Sequence, residues 1–308
     1  MRRFITKILI LAIGWLLPLY LLQAVYDHAA YQDYYKWPYE KINTAYNRQQ
    51  NANLIILGNS RGAGNYVPEV MDSLLGMKCC NLSLSGYTFD FDYHMVFQPY
   101  MERNTAPQYI VQDVSPWAFF QDVNPSYAIE FLPYINRPEF DFYINRCAEL
   151  SVFDKYLPLK YHGQLVKCYE NYKSFIAKEA DKSERKYYMK DYFGDAFYPI
   201  EKDPALLDLF SQYLKDCRAR HIQVAIVCSP IHLVDGNAHF NIKGFREQLK
   251  DISQKEGVPF LDYSELYGAD TLYFIDPVHL KVDAQKLFSQ KVASDLKEMG
   301  WSLNGTLR

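Results

Sequence analysis

Short uncharged runs that stop at small polar residues, each followed by a stretch with helical spacing, constrain this chain more than any other feature. The first run, Leu54-Ile55-Ile56-Leu57, ends at Gly58-Asn59-Ser60. It shows no alternation of polar and apolar residues, the pattern of a strand buried on both faces. Val67 to Leu75 follows with helical spacing and Pro68 in its first turn, where a missing N–H costs nothing. Cys79 to Leu84 reads as a second strand ending at Ser85-Gly86, and Phe89 to Arg103 as a helix. Tyr109 to Asp113 is a third strand, ending at Val114-Ser115-Pro116. Further on come a helix over Leu206 to Arg220 and a strand over Gln223 to Cys228 that stops at Ser229-Pro230. A helix over Lys243 to Glu256, a strand over Pro259 to Asp262 and a closing helix over Ala284 to Met299 complete the series.

Strands that alternate with helices require a parallel sheet covered on both faces, because parallel neighbours are joined by crossovers. The expected fold class is therefore α/β: a three-layer α/β/α sandwich, flavodoxin-like, around a mostly parallel sheet of about five strands. Ligands of such sheets bind beyond the carboxyl ends of the strands, where several of the polar clusters lie. Between about residues 117 and 203 the pattern breaks. Aromatic-rich, charged segments such as Cys168 to Tyr188 suggest a helical insertion on that same face.

The N-terminus is different in kind. Arg2, Arg3 and Lys7 precede an uncharged run from Ile8 to Tyr26, long enough to cross a hydrocarbon core of about 30 Å as a helix. Pro18 inside it is better tolerated in a membrane helix than in a soluble one. The basic residues assign the N-terminus to the cytoplasm and the rest of the chain to the periplasm or exterior. No small-x-small site follows at the right distance, which favours an uncleaved anchor over a cleaved signal peptide. The expected domains are residues 1–26 as cytoplasmic tip and transmembrane anchor, 27–50 as a stalk, and 51–308 as the α/β domain with its insertion.

A net charge of −3 without a basic stripe excludes a nucleic-acid partner. The six cysteines include no C-x-x-C pair and no His/Cys cluster with zinc spacing, so neither a metal nor another cofactor is expected. Cys147 and Cys168 are near enough in sequence to bridge, although spacing does not fix connectivity.

Two motifs carry chemistry. Ser60 follows the first strand and opens the first helix, where unpaired backbone N–H groups are suited to a developing oxyanion. Asp276-Pro277-Val278-His279 precedes the last helix. A carboxylate three residues before an imidazole can orient the ring while its other nitrogen serves a nucleophile. The alternative is a helix-capping Asp276 beside a surface His279.

In order along the chain stand Gly58-Asn59-Ser60, Asn81-Leu-Ser-Leu-Ser-Gly86, Asp113-Val-Ser115 and Asp276-Pro-Val-His279. This series resembles the four blocks of SGNH/GDSL hydrolases over about residues 53–116 and 203–298. The resemblance implies Ser60 as nucleophile, His279 as base and Asp276 as orienter. It also implies an oxyanion hole from the N–H groups of Ser60 and Gly86. The family's third donor is an asparagine, and Asp113 stands near its place; an ionised carboxylate cannot donate. That leaves Ser115, Asn59 or Arg61 as third donor, or a hole with two donors. Arg61, beside the nucleophile, and His232, after the Ser229-Pro230 strand end, are candidates for binding substrate.

The anchor and the altered blocks are similar to exported SGNH-like proteins of envelope modification, such as those of alginate O-acetylation and of D-alanine transfer to teichoic acid. The resemblance implies a multispanning membrane acyltransferase as partner. It also implies passage of an acyl group through Ser60 to a glycan hydroxyl or to water. Gly58-Asn-Ser60-Arg-Gly62 also fits the α/β-hydrolase elbow, but that fold needs strands before the elbow. The reading from another class is a non-catalytic scaffold of the same shape that binds glycan or an acyltransferase.

Overall fold

The computed structural model describes residues 1–32, 39–46, 51–119, 131–138, 160–161, 168–169, 203–235 and 240–302. The chain divides into two compact units, residues 1–43 with 123–179 and residues 44–122 with 180–308.

In the first unit, α1 (Arg2–Tyr31) is a 30-residue helix with Pro18 inside it. It is long and apolar enough to cross a membrane, and its most apolar stretch is entirely unburied. Its last turns are tied down by polar contacts. Asp27 pairs with Lys160 at 2.6 Å and accepts from the Tyr161 hydroxyl. Asn43 donates to the Ala30 carbonyl at 2.8 Å and accepts from the Tyr134 hydroxyl at 2.6 Å. Of the described residues in the stretch read as a stalk, Ala30, Tyr39, Ile42 and Asn43 are buried. A second helix, α2 (Tyr39–Tyr46), lies where the two stretches of sequence meet. Most of the expected insertion at about 117–203 lies outside the described residues.

The second unit is the sheet and its helices. β1 (Leu54–Leu57), β2 (Cys79–Asn81), β3 (Tyr109–Asp113), β4 (Gln223–Cys228) and β5 (Phe260–Asp262) form one parallel sheet in the order β2-β1-β3-β4-β5. This is the doubly wound flavodoxin-like order, with its switch point between β1 and β3. Between the strands lie α3 (Ser60–Asn65), α4 (Pro68–Leu75), α5 (Phe89–Asp92), α6 (Gln98–Arg103), α7 (Pro204–Ala219) and α8 (Ile242–Glu256). After β5 come a two-stranded antiparallel pair, β6 (Phe274–Asp276) and β7 (His279–Leu280), and the closing helix α9 (Val282–Glu298).

Alternation along each strand decides which layer a residue joins. Leu54, Ile56, Val111, Ala225 and Val227 pack with Met71 and Leu75 of α4 and with Phe288, Val292 and Leu296 of α9. Ile55, Ile110 and Ile226, also buried, point to the opposite layer. That layer is aromatic: Phe89 meets Phe210 edge-on at 4.7 Å and Tyr213 at 5.4 Å. Burying each such side chain stabilises the fold by about 1.5–3 kcal/mol.

Two differences from the expected elements have local causes. The Phe89 to Arg103 helix contains a π-helical turn, Tyr93–Phe97. Pro99 has no N–H for the Met95 carbonyl, and the Tyr46 hydroxyl supplies that bond at 3.1 Å. The second strand is shorter than its apolar run, yet Leu82 and Leu84 still donate to Ile56 and Gly58 at 2.9 and 3.0 Å. The chain thus follows β1 to the site.

Cys79, Cys168, Cys217 and Cys228 are free thiols, so Cys168 makes no bridge; Cys147 lies outside the described residues.

Candidate active site

Ser60 is the first residue of α3, immediately past the end of β1. Asn59 caps that helix, its Oδ1 accepting from the Arg61 N–H at 3.2 Å. Two glycines let the helix begin so close to the sheet. Gly58 has φ +147°, and a Cβ there would meet the Asp113 carbonyl oxygen at 2.6 Å. At Gly62 a Cβ would meet Ser83 Oγ at 2.5 Å. The glycines flanking Ser60 are thus demanded by the close approach of the start of α3 to Ser83, after β2, and to Asp113, at the end of β3.

Asp276 and His279 face each other across the β6–β7 pair, which short apolar runs in the sequence do not foretell. His279 Nδ1 lies 2.8 Å from Asp276 Oδ2 and 3.0 Å from Oδ1. The same Oδ1 accepts the backbone N–H groups of Val278 and His279, both at 3.0 Å. Asp276 is buried and His279 only partly so. The opposite edge of the ring lies against α3, with Cδ2 3.7 Å from where a Gly64 Cβ would stand. Nε2 is bonded to that carbon, so the nitrogen not held by Asp276 is on the α3 side. Ser60 opens the helix against whose Gly64 the His279 ring lies, just past the carboxyl end of β1. Gly86, in the turn after β2 with φ +84°, belongs to the same end.

The other candidates fall elsewhere. Ser115 is completely buried and Asn59 nearly so, and Asn59 Nδ2 donates to Ser115 Oγ. These side chains join the start of α3 to the end of β3; they do not present a donor to a substrate.

Arg61 does not bind substrate from the rim. One residue past Ser60, a helix turns about 100°, and here that turn sends the guanidinium inward, to 0% exposure. Nη2 donates to the Ser229 carbonyl, while Nε and Nη1 have no hydrogen-bond partner among the described residues. Beside it Asp113 accepts from the Tyr66 hydroxyl at 2.8 Å. Burial raises the Asp113 carboxyl above its ordinary value, and Arg61, Tyr66 and Ser229 pull it back only in part.

His232 is also buried. Its Nδ1 lies 2.7 Å from Asp235 Oδ2, its Nε2 lies 2.9 Å from the Ala269 carbonyl, and its backbone N–H donates to Pro277 at 2.9 Å. It braces the turn between Asp276 and His279 rather than meeting substrate. Phe119 is core, packed on Phe89 and Phe210. Trp117 is half-buried, 5.5 Å from Phe240.

Asn65 stands five residues after Ser60 in the sequence. It is fully buried at the end of α3 and bonds to the residues on both sides of His279. Its closeness to the nucleophile suits pocket lining and packing alike, and the contacts made are those of packing. Among the described residues, no group of three His, Cys, Asp or Glu side chains is placed to hold a metal ion.

No protein-family model and no curated protein matches the sequence. Solved structures do. One is a protein assigned to the lipolytic G-D-S-L family from Desulfitobacterium hafniense: 12% identity, 79% of this chain and 98% of that chain covered, TM-score 0.40. Another, designated an acylhydrolase, is from Bacteroides fragilis: 13% identity, coverage 84% and 95%, TM-score 0.41. A third is a GDSL-like lipase from Bacteroides thetaiotaomicron: 10% identity, coverage 86% and 98%, TM-score 0.41.

Proposed function

We propose that this chain is an SGNH-type serine esterase or O-acyltransferase that works through an acyl ester on Ser60. The observation that carries the reading is the Asp276–His279 pair, with Nδ1 held at 2.8 Å and the opposite ring edge against the helix that Ser60 opens. In the reaction Ser60 Oγ attacks the ester carbonyl carbon while His279 Nε2 takes the hydroxyl proton. Asp276 keeps the Nδ1 proton in place and stabilises the imidazolium. The negative oxygen is met by the backbone N–H groups of Ser60 and Gly86. Collapse breaks the ester bond, and the departing alkoxide takes the proton from His279. A water or a sugar hydroxyl then attacks the Ser60 ester with His279 again as base, restoring the serine.

Burial of Asn59 and Ser115 leaves the hole with two donors from these blocks. One donor fewer typically costs about a hundredfold in rate, which leaves room for a specialised transferase or a weak enzyme. Helix α1 supports attachment to a membrane, and the basic residues before its apolar run support an extracytoplasmic catalytic unit. We take the acceptor to be an envelope or exported polysaccharide and the donor-side partner to be a multispanning acyltransferase.

The test uses full-length protein in detergent with an aryl acetate and a fluorophosphonate probe. Turnover of the ester and an adduct at Ser60, both lost in Ser60→Ala with the melting temperature preserved, are expected. A folded wild-type protein that takes up no probe discards the esterase and leaves the non-catalytic scaffold.

A further inference from the structure

We propose that Asn65 is a positioning residue that sets where His279 stands relative to Ser60; this rests on the esterase reading above. Its carboxamide reaches across to the β6–β7 turn. Oδ1 accepts the Leu280 N–H at 3.0 Å, and Nδ2 donates to the Val278 carbonyl at 3.4 Å and to Ser229 Oγ at 3.3 Å. The Val278 carbonyl belongs to the peptide unit before His279, and the Leu280 N–H to the one after it. One side chain therefore clamps both peptide units that flank the His279 Cα. Asn65 is 0% exposed, so water does not compete for these bonds.

Asp276 and Asn65 divide the task. Asp276 fixes the direction of the imidazole through Nδ1, but it belongs to the same hairpin and moves with it. Nothing in that contact fixes the hairpin against the nucleophile. Asn65 does, because it ends the six-residue helix that Ser60 begins. A helix this short is a rigid spacer of about 1.5 Å per residue. The separation of nucleophile and base is thus defined by one helical turn and a half plus one carboxamide. Ser229, at the end of β4, receives the remaining contact and ties the clamp to the sheet. Arg61, on the same helix, holds the Ser229 carbonyl.

The test compares Asn65→Leu, which keeps the branched outline and loses every bond, with Asn65→Asp. The latter keeps an acceptor for Leu280 but turns a second acceptor on the Val278 carbonyl. A displacement near 1 Å in a catalytic pair costs about a hundredfold. Both variants are therefore expected to lose kcat on aryl acetate by about that factor. KM should stay near wild type, and fluorophosphonate labelling of Ser60 should slow in parallel with kcat. If Asn65→Leu fails to fold, Asn65→Asp carries the comparison. Wild-type kcat in a folded variant, or a loss confined to KM, overturns the role. A wild-type protein that takes no probe overturns the esterase reading instead, and the clamp is then read without activity. The 15N–1H signals of the His279 ring should be sharp in wild type and broadened or split in the Asn65 variants. Unchanged ring signals overturn the clamp.

Discussion

Asp276 grips His279 at two places, accepting the backbone N–H on Oδ1 at 3.0 Å and the ring Nδ1 proton on Oδ2 at 2.8 Å. The first bond shapes the turn and the second selects the tautomer. Asn at this position keeps an oxygen for the backbone but directs an NH2 group at Nδ1. The ring must then carry its proton on Nε2, where it cannot take one from Ser60. Asp276→Asn should therefore lower kcat by about 10⁴ while shifting the melting temperature little. Steady-state turnover of an aryl acetate beside a thermal melt checks both; activity within tenfold of wild type would sink the assignment of Asp276.

What could be read in the sequence was local, and what could not was distant. Gly58-Asn59-Ser60 follows its apolar run directly, so a strand ending at a small polar turn is written in adjacent residues. Asp276 and His279 are three positions apart and need only one turn to meet. The parallel sheet followed from runs without alternation. By contrast, the partners of Asn65 lie 213 and 215 positions away, and no spacing rule reaches that far. The direction of Arg61 depends on how α3 sits over the ends of β3 and β4, which only the assembled sheet fixes. β7 has two residues, too few to show a period.

The glycines around Ser60 make a graded prediction. Gly58→Ala would place a Cβ against a backbone oxygen at 2.6 Å with φ +147°, and neither can yield. A loss on the order of 3 kcal/mol is expected. Gly62→Ala meets a side chain, Ser83, at 2.5 Å to Oγ and 3.0 Å to Cβ, so about 1–2 kcal/mol should suffice. Ser83→Gly removes both atoms and should recover much of the Gly62→Ala loss. Urea melts of the double-variant cycle measure the coupling; strict additivity would show that the two residues do not touch.

Thiol chemistry reports on the core. Burial pushes the Cys228 thiol up to about 11 and the Cys217 thiol up to about 12, and it raises Cys79 further. At pH 8 a thiol near 11 is ionised to about one part in a thousand, and the thiolate is the form that alkylates. Cys79, Cys217 and Cys228 should therefore resist iodoacetamide in the native protein and react on denaturation, with peptide mass mapping as the readout. Rapid native labelling of Cys228 would mean that the end of β4 is open to solvent.

Arg61 and Asp113 share the interior behind the nucleophile, and their dependence on pH has a definite sign. Burial raises the Asp113 carboxyl above 3.8, and the Arg61 charge is the largest influence opposing that rise. Below about pH 3.8 the carboxyl is protonated in folded and unfolded chains alike and contributes no pH dependence. Above it the unfolded chain ionises while the folded one resists, so stability falls as pH rises, until the folded carboxyl ionises too. Arg61→Met removes the opposing charge, carries the folded value higher and extends that fall. The variant should be less stable by about 3 kcal/mol at pH 7, and by clearly less at pH 4. Arg61→Met with Asp113→Asn removes the buried acid as well and should abolish the widening between the two pH values. Urea melts at pH 4 and pH 7 decide the matter: a deficit that does not change with pH would mean that Asp113 does not sense Arg61, and that the guanidinium acts only through the Ser229 carbonyl.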